Sequence, residues 1–134
     1  MDVAAVAVAA AALFAAIALF QLALVVGAPW GTVAYGGRVA LDDGRLPSTY
    51  RFSSAVAAVL LVVFAVVVLV RGGVVGSSGD AAVVRVTSWV VVGFMALNTA
   101  ANLAARHWVE RFVLGGTTAL LGVACSVVAA AGPT

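Results

Sequence analysis

The chain has no lysine, a single cysteine, three prolines and few charged residues of either sign. Charged residues make up 9% of its 134 residues and hydrophobic residues 65%, and the mean hydropathy is +1.22. A soluble domain carries about 25% charged residues, so a water-soluble fold of this chain would lack the polar side chains to cover its surface. We therefore expect lipid to surround most of the chain. The length leaves room for a single domain, residues 1–134.

The lone cysteine, Cys125, excludes an intrachain disulfide and any redox site built on a pair of thiols. It lies in the middle of the last apolar stretch, and we predict that it is a small packing residue. The sequence also lacks a GxxxxGK[ST] phosphate loop and a recognisable nucleophile–base pair. We accordingly predict no cofactor and no catalytic residue, and we do not expect an enzyme.

Four long apolar stretches dominate the rest of the chain. We predict transmembrane helices at about 3–26, 52–70, 82–105 and 112–131, because backbone groups inside a bilayer must be satisfied within the segment and this favours a helix even in valine-rich runs. The fold expected is an all-α, transmembrane four-helix up-down bundle. The first stretch has no basic residue before it and is too long for a secretory signal, so we expect it to be retained.

The long polar segment between the first two helices, residues 27–51, is rich in glycine. Gly36-Gly37 resembles a two-residue hairpin turn, and Asp42-Asp43-Gly44 predicts a second turn. Trp30 and Tyr35 are expected at the level of the lipid headgroups, as candidate interface residues. We predict that this loop is structured and folds back over the mouth of the bundle.

The few polar side chains within the apolar stretches collect at the end of the bundle that carries this loop. Asn98, Asn102 and Arg106 are four residues apart and would line one stripe of the third helix, while Gln21 lies in the last turns of the first. Two interpretations stay open. The residues either form hydrogen bonds that hold the helices together, or they line a small polar pocket roofed by the loop.

His107 and Glu110 lie in the turn between the last two helices and also admit two interpretations. A histidine near a carboxylate could handle protons or bind a metal, but one histidine and one acid are few ligands, since metals usually take three or four; we predict no metal. The alternative is a charged interfacial anchor, with Trp108 at the headgroup level and Arg106 neutralising Glu110 four residues on.

The first loop resembles that of an uncharacterised family of small four-helix bacterial integral membrane proteins. The resemblance covers the first two helices and the loop between them, and its pattern is GAPWG, then AYGG, then LP and an arginine. The matching positions are 27–31, Tyr35, Gly36, Gly37, Leu46, Pro47 and Arg51. The resemblance implies a four-helix fold and no particular activity. It also implies a bacterial plasma (inner) membrane, which the bias toward Ala, Val, Gly and Arg independently favours.

The seven arginines indicate an orientation. Five flank the loop and the turn at 106–111, and two flank the other side; they are Arg38, Arg45, Arg51, Arg106 and Arg111 against Arg71 and Arg85. The positive-inside rule then places the loop in the cytoplasm and both termini outside. The arginines stand singly rather than on one basic face, so we predict membrane lipids as partners and no nucleic acid.

Three functions stay open. The leading prediction is a non-enzymatic interaction, accessory or structural membrane protein, which associates with itself or with another membrane protein through faces of small residues such as Ala7, Ala11 and Ala15. The alternatives are a small-solute transporter or channel with a polar pocket under the loop, and a lipid-binding protein. No acidic residue lies inside any predicted span, which argues against proton-coupled transport.

Overall fold

The structure, a computed structural model, describes residues 1–133, and this part of the chain is helical without any β-strand. Its four long helices are α1 (Val3–Val25), α2 (Ser48–Arg71), α3 (Ala82–Leu103) and α4, which begins as a π-helical turn (Val109–Leu114) and continues as an α-helix (Gly115–Ala131). All four are long and apolar enough to cross a membrane. The predicted all-α four-helix fold is confirmed, and the four helices fit a multi-pass membrane protein.

The helices form an up-down bundle of two hairpins, α1 with α2 and α3 with α4. At one end, which we call the terminal end, Arg71 hydrogen-bonds the carbonyl of Ala129. At the opposite end, which we call the loop end, Arg51 Nε donates to the carbonyl of Val25 over 2.7 Å. α1 also packs against α4, whereas α2 and α3 share less contact than either hairpin does.

One apolar core runs along the bundle axis, with Phe14, Phe64, Val91, Met95 and Leu121 at its centre. Cys125 is buried within it, as its position in the sequence predicts. Many apolar side chains face outward instead, and Leu97 is 74% exposed. A soluble protein does not leave large contiguous apolar surfaces uncovered, so this outer surface is suited to acyl chains.

The small-residue face predicted on the first helix lies elsewhere. Of Ala7, Ala11 and Ala15, only Ala7 is buried, and the buried stripe of α1 consists of Val3, Ala7, Ala10, Phe14 and Ala18. An α-helix has 3.6 residues per turn, so positions spaced by four drift off one face within a few turns. The stripe that meets the other helices alternates spacings of three and four.

The helices extend further than predicted at the loop end. α2 begins at Ser48 rather than at about residue 52, and the last helix begins at Val109 rather than at about residue 112, while α3 ends at Leu103 rather than at about residue 105. The connecting segment is therefore shorter than predicted, residues 26–47. It packs onto the helix ends through a second apolar cluster centred on Leu24, Ala34 and Leu46.

Candidate functional site: a polar cavity beneath the first loop

The connecting segment is fastened over the bundle by short-range turns and long-range hydrogen bonds. Gly31 N–H donates to the carbonyl of Gly44 over 2.8 Å, which closes the segment on itself. The second turn predicted at 42–44 is present, since Gly44 N–H donates to Leu41 O. The predicted hairpin at Gly36-Gly37 is wrong: no strand flanks it within residues 1–133, and the pair belongs to a 3₁₀ turn, Tyr35–Gly37.

This 3₁₀ turn has an unusual backbone. Tyr35, Gly36 and Gly37 have φ of 52°, 77° and 70°, all in the left-handed region. For a non-glycine residue that conformation is unfavourable by about 1–2 kcal/mol. Tyr35 is held there by its hydroxyl, 3.2 Å from the carbonyl of Tyr50 and 3.0 Å from Ser54 Oγ. The turn thus aims a ring and a backbone N–H down toward the helix ends.

Glu110 receives that backbone N–H. Gly36 N–H donates to Glu110 Oε1 over 3.0 Å, and Glu110 is only 5% exposed. Its other oxygen, Oε2, is buried and has no hydrogen-bond partner within residues 1–133. In the same part of the chain the one ion pair is Arg71–Asp80, so no cationic side chain neutralises Glu110. Glu110 is therefore a buried carboxylate rather than the exposed anchor that the sequence suggested.

The difference arises from where the helices end. Because α3 ends at Leu103, Arg106 does not continue the stripe of Asn98 and Asn102; it lies exposed in the connecting turn. Because the last helix starts at Val109, Glu110 falls inside its first turn. The expectation that no acid lies within a membrane span is therefore corrected, since the candidate span Val109–Ala131 includes this residue.

A cavity of about 290 Å³ lies beneath the connecting segment, and we call it the polar cavity. Three of the four residues predicted to form a polar pocket line it: Gln21, Asn98 and Asn102. The remainder of its wall consists of Phe20, Ala34, Tyr35, Gly36, Ala57, Ala101, Glu110 and Leu114. Its volume is near the lower end of the range for ligand pockets, about 300–1,000 Å³.

The polar cavity contains a second unsatisfied group. Gln21 Oε1 is buried without a hydrogen-bond partner among residues 1–133. Gln21 comes from α1 and Glu110 from α4, so two different helices each bring a buried oxygen acceptor to the wall of the same cavity. Buried polar groups are normally satisfied, and each exception requires an explanation.

Hydrogen bonds between α3 and α4 adjoin the cavity. Asn102 Nδ2 donates to Thr118 Oγ1 over 3.4 Å, and Thr99 Oγ1 lies 3.1 Å from the same hydroxyl. Thr118 is buried and donates in turn to the carbonyl of Leu114. Asn102 therefore takes part in an interhelical contact and also lines a cavity, so the two interpretations of these amides are compatible.

The other predicted interface residues lie around the cavity rather than in it. The indole of Trp30 stacks on Phe20 with ring centroids 6.3 Å apart, half-exposed at the loop end. His107 Nδ1 accepts from Val109 N–H over 3.2 Å and thereby helps to start the last helix. No group of three or more His, Cys, Asp or Glu side chains within residues 1–133 is placed to hold a metal ion.

Sequence reasoning missed a second polar arrangement, at the terminal end. Arg71 is 4% exposed and donates from Nε and Nη2 to the carbonyl of Ala129, and from Nη1 to Gly79 O and Asp80 Oδ1. It joins the end of α2 to the end of α4 and to the α2–α3 turn. The signal available was an arginine followed by two glycines and, nine residues on, an acid, which by itself predicts only a turn.

The polar cavity offers buried oxygen acceptors, two carboxamides and a tyrosine ring at the base of a folded cap. This arrangement suits recognition of a group that donates hydrogen bonds, and Glu110 adds a preference for positive charge. It provides a place to bind rather than a set of reacting groups. A comparison of the chain with protein-family models, with curated proteins and with solved structures finds no match.

Proposed function

We propose that this membrane protein binds a small, positively charged group that donates hydrogen bonds, and that it does so in the polar cavity. The observation that carries the proposal is Glu110, a buried carboxylate with one oxygen on Gly36 N–H and the other without a partner within residues 1–133. A cation in the cavity would supply both the missing hydrogen bond and the missing charge.

The energetic argument concerns the desolvation of Glu110. An ion removed from water without a partner is disfavoured by several kcal/mol, and the single bond from Gly36 compensates only part of this. An ammonium group carries three N–H donors on one positive centre. It can therefore donate to Glu110 and to Gln21 together while the amide oxygen of Asn98 or Asn102 accepts a third bond.

Binding of this kind supports the alternatives to the leading sequence prediction. A small-solute transporter and a lipid-binding protein both require a polar pocket under the loop, whereas an accessory or structural protein does not. We therefore favour a non-enzymatic ligand-binding membrane protein, and association with a partner protein or a second copy stays a separate prediction. The resemblance in the first loop, which includes Tyr35 and Gly36, would then concern the roof of the pocket.

We also propose that the loop end lies in the cytoplasm and the termini outside, in a bacterial plasma membrane. Arg71 is buried and paired with Asp80, so it contributes little to the charge of the terminal end. Arg38, Arg45 and Arg111 are exposed at the loop end. This distribution supports the positive-inside prediction.

A thermal-stability experiment tests the proposed binding. The protein is placed in nanodiscs of phosphatidylcholine and phosphatidylglycerol, which carry no primary amine, and its unfolding midpoint is measured with ethanolammonium, ethylene glycol or acetate. A ligand that binds only the folded state raises the midpoint in proportion to the logarithm of its concentration over Kd. We expect a rise with ethanolammonium alone.

Two variants complete this experiment. Glu110→Gln retains an oxygen for Gly36 N–H but removes the charge, so it should abolish the rise. Asp42→Asn removes an exposed acid that lies away from the cavity, and it should leave the rise unchanged. Equal rises with the three compounds, or a rise that survives in Glu110→Gln, would disprove the proposal.

A further inference from the structure

A second cavity adjoins the polar cavity on the side between α2 and α3. It has a volume of about 170 Å³, and we call it the lateral groove. Gln21, Ala57 and Asn98 line both spaces, so the two share a wall formed by α1, α2 and α3. A ligand bound at Gln21 and Asn98 can therefore extend into the lateral groove without crossing a helix.

The lateral groove opens at the outer surface of the bundle. Its rim includes Val56, Leu60 and Phe94, and between 37% and 45% of each is exposed. These exposed apolar side chains belong to the part of α2 and α3 that would lie among acyl chains. The opening lies between the two consecutive helices that share the least contact, where an aperture between helices disturbs the least packing.

The polarity of the two spaces changes along the bundle axis. The polar cavity lies at the loop end, near the last turns of α1 and α3 and the first turns of α2 and α4. The lateral groove extends from there toward the middle of the bundle, where Leu61 and Phe94 line it. This order of a polar site near the headgroup level and an apolar channel pointing to the bilayer centre matches the two ends of an amphiphile.

The route from water is obstructed by comparison. Tyr35 and Gly36 form part of the cavity wall, and both are tied to helices by hydrogen bonds to Ser54 and Glu110. A water-soluble solute would have to displace this roof. An amphiphile in the bilayer would meet the rim of the lateral groove directly.

Resting on the proposed function, we infer that the ligand is an amphiphile with an ammonium headgroup, which enters sideways from the bilayer between α2 and α3. Its headgroup lies by Glu110 and Gln21 in the polar cavity, and its alkyl chain lies in the lateral groove. The same ammonium chemistry could come from a free solute, and the experiment is designed to separate the two sources.

The probe is a long-chain alkylammonium with a photoactivatable diazirine on its chain, incorporated into the same nanodiscs. After illumination, labelled positions are mapped by mass spectrometry, with and without an excess of unlabelled dodecylammonium. We expect at least tenfold enrichment of label at Val56, Leu60 and Phe94 over Leu97, an exposed residue on α3 that lines neither cavity. Dodecylammonium should remove this enrichment, and Glu110→Gln should reduce it at least tenfold.

A matched pair of substitutions tests the groove independently of the label. Leu60→Trp narrows the rim of the lateral groove, and Leu97→Trp adds the same side chain to the exposed face of α3. We expect Leu60→Trp to weaken dodecylammonium binding relative to ethanolammonium binding by tenfold or more, and Leu97→Trp to leave that ratio unchanged. The ratio is insensitive to a general loss of stability, since both ligands are measured on the same variant.

The outcomes separate the inference from the proposal on which it rests. If ethanolammonium stabilises the protein through Glu110 but the photoprobe labels Leu97 as strongly as Val56 and Leu60, the lateral route is overturned and the ammonium site stands. If neither ethanolammonium nor dodecylammonium depends on Glu110, both ideas are overturned. An unchanged binding ratio in Leu60→Trp also contradicts the lateral route.

Discussion

Gly36 and Glu110 are 74 residues apart in the chain and are joined by a hydrogen bond of 3.0 Å from the glycine N–H to Oε1. This bond connects the cap formed by residues 26–47 to the first turn of the last helix. The carboxylate is thus a ligand-facing group and also a fastening of the cap. Its two roles can be separated, because the hydrogen bond requires an oxygen and the proposed ligand requires a charge.

The first prediction separates these roles at Glu110. Glu110→Ala removes the acceptor and leaves a buried N–H unsatisfied, which is unfavourable by about 1–3 kcal/mol. The cap should open more often, and trypsin should cut after the exposed residues Arg38 and Arg45 about five to a hundred times faster, because cleavage follows the open population. Glu110→Gln should be cut at nearly the rate of the unmodified protein.

Asp43→Ala is the control for this experiment. It removes a short-range hydrogen bond to Arg45 N–H within the exposed turn and touches no helix. We expect at most a small rise in cleavage. Equal cleavage rates for Glu110→Ala and Glu110→Gln would show that the bond to Gly36 does not fasten the cap.

The second prediction concerns the two glycines of the 3₁₀ turn. Both have positive φ, so alanine at either is unfavourable by about 1–2 kcal/mol. Gly37 carries a further constraint, since a Cβ there would lie 2.8 Å from the carbonyl of Thr32, whereas at Gly36 the nearest atom is 4.0 Å away. Gly37→Ala should therefore increase cleavage at Arg38 more than Gly36→Ala does.

A third glycine supplies the matched control. Gly76 has φ of 67° and open space around its Cβ position, but it lies in the α2–α3 turn at the terminal end. Gly76→Ala should leave cleavage of the cap unchanged. If Gly36→Ala and Gly37→Ala increased cleavage equally, the contact with Thr32 would have no part in the turn.

The fold was predictable because its determinant is coarse. Uninterrupted apolar stretches separated by Gly, Asp and Arg specify four helices in a bilayer whatever their detailed packing. The helix ends were less predictable, since Ser48 and Glu110 belong to helices although polar residues there favour a loop by composition. A shift of three or four residues at these ends decides whether Glu110 is exposed in a turn or buried in a helix.

The polar residues of the site were predictable as a group and not in their contacts. Gln21, Asn98 and Asn102 share one end of the bundle by helix register alone. The partner of Glu110 was not predictable, because the nearest cation in sequence, Arg106, lies past the end of α3, and the actual partner is a backbone N–H in a distant turn. Arg71 was missed for a similar reason, since its partners are backbone carbonyls that no residue pattern marks.

The third prediction concerns the contact between α3 and α4 beside the cavity. Thr118 Oγ1 lies 3.1 Å from Thr99 Oγ1, and replacing either threonine with valine keeps the shape and removes the hydroxyl. A double-mutant cycle in nanodiscs should give a coupling of about 0.6 kcal/mol and no more than about 2 kcal/mol. Thr87 and Ser126 hydroxyls bond only within their own helices, so the cycle Thr87→Val with Ser126→Ala should give no coupling.

The last prediction concerns Arg71 at the terminal end. Arg71→Met keeps the apolar length of the side chain but leaves the buried carbonyls of Ala129 and Gly79 without their donors, at about 1–3 kcal/mol for each. Asp80 is 83% exposed, so Asp80→Asn should lower stability by less than about 1 kcal/mol. Arg85→Met removes an exposed arginine at the same end and should change stability little. Unfolding midpoints of the three variants in nanodiscs test this order. A loss in Asp80→Asn as large as in Arg71→Met would mean that the ion pair, and not the two carbonyls, holds the ends of α2 and α4 together.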